Sequence, residues 1–184
     1  MAAMLQKLNL KTLIGPLVAF VMVLTMLLAT ATPAFADDDP PKPIAGLGKV
    51  SNADLTRMYQ KVRSWYDSQA IVIRDSYQLA AQFQTVIDFY KKKGRDVTRL
   101  EAALTTFYGD INIAEAARVN TNNIFRRNAG FNGFYVVLDR QLAAQTILES
   151  RSNLKGTHLD LVKAIQNLSR EYHAWKRWML GYGE

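Results

Sequence analysis

Only two histidines occur in the 184 residues, His158 and His173, fifteen positions apart on one stretch of helical periodicity. At ~1.5 Å of rise per residue that is about 22 Å, too far for both imidazoles to hold one ion within a chain. A carboxylate-bridged di-metal centre needs Glu-x-x-His pairs on two helices, and Glu171-Tyr172-His173 has the wrong spacing. Both histidines are expected at the surface. Ser169 precedes His173 by one helical turn with Glu171 nearby, the residue types of a nucleophile, its base and an orienting acid. Helix surfaces create such neighbours by chance, and no nucleophile elbow accompanies them. The chain has no Cys, which excludes disulfides, thiolate metal sites, cysteine nucleophiles and attached c-type haem. Gly46-Leu47-Gly48-Lys49 lacks the glycine spacing and preceding strand of a phosphate-binding loop. The sequence therefore predicts no catalytic residue, no metal ligand and no cofactor, and the protein is not expected to be an enzyme.

One constellation carries a different chemistry. Lys91, Lys92, Lys93, Arg95, Arg99, Lys176 and Arg177 are joined by Trp175, Trp178, Tyr90 and Tyr182. Cations beside amphipathic aromatics suit an anionic lipid surface or an acidic cell-wall polymer. The plainer reading is that cations complement helix C-termini while the aromatics close a core. Asp88, Asp96, Glu101 and Glu171 also dilute the positive charge. These residues form one patch only if the elements bearing them are arranged to bring them to one end.

Those elements read as helices. Ser51-Asn52-Ala53-Asp54 has the pattern of a capped start. Apolar positions then recur at Leu55, Met58, Tyr59, Val62, Trp65 and Tyr66, and after a weaker turn around Gln69 at Ile73, Tyr77, Ala80, Phe83, Ile87 and Tyr90. Steps of three and four over almost forty residues predict one long amphipathic helix, stopped by Lys91-Lys92-Lys93-Gly94. Asp96 is the expected cap of a second helix with a seam at Val97, Leu100, Leu104, Phe107, Tyr108 and Ile111, continuing through Ala114 and Ala117 to Ile124 or Phe125. Asn128-Ala129-Gly130-Phe131-Asn132-Gly133 is a break. Phe134-Tyr135-Val136-Val137-Leu138 is β-like but has no strand to pair with, so it is expected as an ordered loop packed over the bundle end. Asp139 opens a third helix with a seam at Leu142, Ala143, Ile147, Leu154, Leu161 and Ile165, then Leu168, Tyr172, Trp175 and Met179. Gly156-Thr157 is its weak point, where it is expected to kink or to split in two. The predicted fold is all-α: an elongated antiparallel three-helix bundle over residues 51–180, ~50–60 Å long. The ends of the first and third helices then lie beside the start of the second, which assembles the basic patch.

Gly94-Arg95-Asp96-Val97-Thr98-Arg99-Leu100-Glu101-Ala102-Ala103-Leu104, Asn128-Ala129-Gly130-Phe131 and Asp139-Arg140-Gln141 together resemble a pattern in exported bacterial helical proteins. Those proteins share a long first helix, a G-x-D-x-x-x-L-E-x-A-L start to the second, and an A-G-F loop. The resemblance covers most of residues 51–178, with Asn132 where an acid often follows the loop. It implies the fold and supplies no site.

Location is read from the first 36 residues. Lys7 and Lys11 precede an apolar run from Leu13 to Ala29, and Pro33-Ala34-Phe35-Ala36 ends it with a small-x-small pattern, the three parts of a secretory signal peptide. Cleavage is expected after Ala36; an uncleaved N-terminal membrane anchor is the alternative, since the run approaches the ~20 residues that span a bilayer. Residues 37–50, rich in Pro, Gly and Asp, read as a flexible tether. Two of the 23 basic residues and none of the 16 acids lie in the leader, so the mature chain carries a formal charge of +5. That surplus permits binding to polyanions without choosing one. Nucleic acid is not expected, because no recognition module is visible and export removes the usual substrate. The reading is an exported, non-enzymatic helical protein of the cell envelope, structural or interacting, with another envelope protein or a second copy as further partners. The alternative is a periplasmic-type binding protein or chaperone using apolar grooves near Trp65, Tyr66, Trp178 and Tyr135.

Overall fold

The computed structural model describes residues 50–179. The expected leader, its cleavage site after Ala36, nearly all of the tether, and Gly181-Tyr182-Gly183 lie outside the described residues. Three helices carry the fold: α1 (Asn52–Lys92), α2 (Thr98–Arg127) and α3 (Arg140–Met179). Among the described residues there is no β-strand, only an isolated antiparallel bridge between Phe131 and Val137. The fold class is all-α. No helix among the described residues is long and apolar enough to cross a membrane.

Each helix end is closed by local chemistry. The Ser51 hydroxyl accepts from the Asp54 amide at 3.1 Å and donates to the Asp54 carboxylate at 2.7 Å, a cap worth about 1 kcal/mol. At the other end of α1 the Gly94 amide donates to the Lys91 carbonyl and the Arg95 amide to the Tyr90 carbonyl. This paired closure needs the left-handed φ of +68° that Gly94 adopts. Asp96 accepts from the Thr98 amide at 3.0 Å, turning the chain directly into α2. Asp139 accepts from the amides of Gln141 and Leu142 at 2.9 and 3.0 Å and so caps α3.

The predicted seams are the buried faces, and they divide into two apolar clusters. One gathers Phe83, Ile87, Leu100, Phe107, Leu161 and Trp175 with their neighbours. The other gathers Leu55, Tyr59, Phe125, Phe131, Ile147 and Leu154. Between them α1 and α3 bury polar side chains: Gln69 donates to the Leu154 carbonyl at 2.7 Å, and Thr157 and His158 lie alongside. α2 packs most extensively against α3.

Four expectations need correction. α3 runs without interruption through Gly156, whose missing side chain faces open space, so there is no split there. His158 is not a surface residue; it is buried edge-on near the Trp65 ring. Leu142, expected in the seam, is 45% exposed, and Ala143 and Ala144 take the inward positions. Loop 131–138 is ordered but does not roof the bundle end with its apolar side chains; only Phe131 and Val137 are buried.

Candidate functional site

Contacts between helices bring the basic residues to one end. The Trp175 indole donates to the Asp96 carbonyl at 2.8 Å and packs against Tyr90 with ring centroids 4.7 Å apart. Arg99 Nε lies 2.7 Å from Glu171, and Lys91 Nζ lies 2.7 Å from Glu101. The end of α1, the start of α2 and the end of α3 therefore meet, with the link 93–97 pinned between them.

The side chains there divide into two groups. Lys91 and Arg99 are spent on carboxylates: the bond from Glu101 holds the Lys91 ammonium above its usual pKa, and the bond from Arg99 holds Glu171 below the carboxylate range. Arg170 adds a longer contact to Glu171 at 3.8 Å. Exposed pairs of this kind contribute little stability; their effect is to remove two cations from any outside anion. Lys92, Lys93, Arg95, Lys176 and Arg177 have no carboxylate partner among the described residues. Lys93 sits over the Phe89 ring at 5.8 Å. Nearby acids are already engaged, Asp88 with the Gln84 amide at 2.8 Å and Asp96 with Thr98, whose backbone N–H lowers the Asp96 pKa.

Trp175 belongs to the core. It is 2% exposed and its only polar atom is satisfied internally. Among the described residues, Trp178, 58% exposed, is the large aromatic exposed at this end. A shallow hollow of about 240 Å³ lies between Asp96, Arg99, Trp175 and Trp178. Ser169, Glu171 and His173 do not form a relay, because Glu171 is committed to Arg99 and Arg170. Among the described residues no three His, Asp or Glu side chains converge as metal ligands. The unpaired cations among the described residues give this end a positive field that can attract a multivalent anion.

Of the four aromatics expected to line grooves, Trp178 and Tyr135 are exposed and the other two are wholly or partly covered. Tyr66 is buried against Phe125, with the Arg118 guanidinium over its ring at 4.2 Å, and Trp65 is half-buried near His158.

The opposite end holds a feature that sequence reasoning missed. Phe134 is 87% exposed, Leu138 72%, and Val136, Leu142 and Tyr135 are exposed beside them. Their backbone is held firmly. Asn132 Oδ1 accepts from both the Phe134 and Val136 amides at 2.9 Å, and the Asn128 amide group donates to the carbonyls of Phe131 and Asn132. Tyr135 takes a φ of +64°, unusual for a residue with a side chain, while Thr56 of α1 donates to its carbonyl at 3.0 Å. The one sequence signal was the apolar run itself, which reads equally as core. No family model, no curated protein and no solved structure matches this chain.

Proposed function

We propose that this protein is an exported, non-enzymatic interaction module of the cell envelope, an elongated antiparallel three-helix bundle whose basic end binds polyanions. Export rests on the tripartite leader of residues 1–36. The antiparallel reading rests on the contacts of Lys91 with Glu101 at one end and of Tyr59 with Phe125 at the other, which pair the end of each helix with the start of its neighbour. The observation that carries the function is the set of five cations, Lys92, Lys93, Arg95, Lys176 and Arg177, without carboxylate partners among the described residues, at the end that also exposes Trp178. Helix-end complementarity accounts for some of that charge, but Arg95 lies beyond the end of α1 and has no such role.

Phosphate and carboxylate anions on a lipid headgroup or a wall polymer share the chemistry that such an end recognises. Co-sedimentation of the processed protein with phosphatidylglycerol vesicles and, separately, with poly(glycerol phosphate) distinguishes the two sources. Binding to at least one should weaken as salt rises, and K92E/K93E should weaken it about tenfold or more. Salt-insensitive binding, or wild-type binding by K92E/K93E, refutes the proposal.

A further inference from the structure

We infer that loop 132–138 inserts into the surface of a lipid bilayer, independently of the basic end. Exposed apolar side chains are ordinary when scattered, but a contiguous group marks a contact surface. Here Phe134, Val136 and Leu138 follow one another at alternate positions, with Tyr135 between them and Leu142 one turn into α3. The loop is built rather than loose. Two asparagine side chains fix its backbone, Leu138 and Asp139 both donate to the Gly130 carbonyl, and Tyr135 is held at positive φ. Such a conformation is unfavourable for a residue with a side chain and persists where the surroundings enforce it.

Three observations select a bilayer as the occupant. Five side chains on a narrow turn offer roughly a few hundred Å², well under the ~800 Å² per partner of a stable protein interface. A bilayer needs no complementary shape, so a small convex tip suffices. The chain also enters the described residues at this end: Arg140, beside the loop, donates to the Val50 carbonyl. The apolar run of residues 13–29 lies upstream of that point, so this is the end nearest the membrane during export, before cleavage after Ala36. Finally, Arg126, Arg127 and Arg140 are exposed close to the loop in the chain, and among the described residues only Arg127 is drawn to a carboxylate, Glu149 at 3.7 Å. Apolar tips bordered by arginine suit the boundary between acyl chains and anionic headgroups.

The absence of Cys makes a local test available. The processed protein carrying Phe134→Cys is labelled with a polarity-sensitive dye and mixed with phosphatidylethanolamine/phosphatidylglycerol vesicles containing a nitroxide lipid. Emission should shift to the blue and be quenched, while the same dye at Gln60→Cys, on the exposed side of α1, stays unchanged. Phe134→Ser with Leu138→Ser should weaken vesicle binding at least about tenfold, with helicity unchanged because both side chains project into solvent. At saturating lipid, where weakened attraction no longer limits binding, K92E/K93E should retain the dye response, which separates this inference from the basic end. Binding with an unresponsive dye at position 134 overturns it, as does a dye already shielded without lipid, which would mean that the tether or a second copy covers the loop. Loss of binding in K92E/K93E but not in the loop variant also overturns it.

Discussion

His158 is the residue whose behaviour departs furthest from its expected place. Burial disfavours its charged form and lowers its pKa below the ordinary 6.5. The unfolded chain therefore binds a proton more readily than the folded one, and stability falls as pH drops below 6.5 toward the lower folded value. Glu171 and Asp96, held low by hydrogen bonds, act in a separate and more acidic window. Urea midpoints measured from pH 7.5 downward should decline in the wild type near pH 6, with the slope flattened in His158→Gln. An equal slope in both would show that His158 is not the group titrating. Tyr172 makes a second case. Burial and nearby Tyr90 push its pKa up to about 12, and its hydroxyl has no partner among the described residues. Phe83 and Trp175 contact its ring, which Tyr172→Phe keeps. Removing an unpaired buried hydroxyl should leave stability unchanged or raise it by up to about 1 kcal/mol; a thermal-melt loss of similar size would mean that the hydroxyl is satisfied in solution.

At the level of elements, two glycines separate conformational strain from close approach. Both adopt positive φ, +68° at Gly94 and +83° at Gly130. A methyl group at Gly94 would meet nothing within 4 Å, whereas at Gly130 it would run into the backbone of Ala143 and the Asp139 carbonyl. Gly94→Ala should then cost only the left-handed penalty, ~1–2 kcal/mol. Gly130→Ala should cost more, ~3 kcal/mol or above, because the loop must be prised off the first turn of α3. Denaturant unfolding of the two variants checks the order, and equal losses would contradict it. These elements also show what the sequence disclosed. Steps of three and four located α1, α2 and α3 because apolar burial imposes the helical period on any chain that packs one face. The same spacing held unused information: Leu154, His158, Leu161 and Ile165 are separated by four, three and four, so His158 occupied a seam position all along. Trp175 likewise lies in the seam between Tyr172 and Met179, which is why it serves the core and not the basic surface. The basic end was legible because charges at helix ends follow from the order of the elements. The apolar loop was not, since a run of Phe, Tyr, Val and Leu has the same composition whether it faces inward or outward. Asn132 decides the matter by binding the loop's amides, and no periodicity reports that.

For the molecule as a whole, the question is whether two apolar clusters separated by buried polar groups melt together. The polar layer weakens the seam where Gln69 faces Leu154, and Gln69 Oε1 and Ser150 Oγ have no partner among the described residues. Against that, α1 and α3 each run unbroken through both clusters, 41 and 40 residues long. Opening one end alone would leave a helix terminus inside the other, with up to four carbonyls or amides unsatisfied on each. Phe125 of α2 further ties Tyr59 and Tyr66 together at one end, while Phe83, Tyr172 and Trp175 are joined at the other. Continuity of the helices should win, as is usual for domains below about 150 residues. Phe83→Ala in one cluster should cost ~3–5 kcal/mol, and Ile147→Ala in the other ~2–5 kcal/mol. Each should lower the hydrogen-exchange protection of both halves by the same amount, since the slowest amides exchange only through global unfolding. If Phe83→Ala accelerates exchange across 161–175 while 143–154 keeps its wild-type protection, the ends unfold independently and the polar layer is a true boundary.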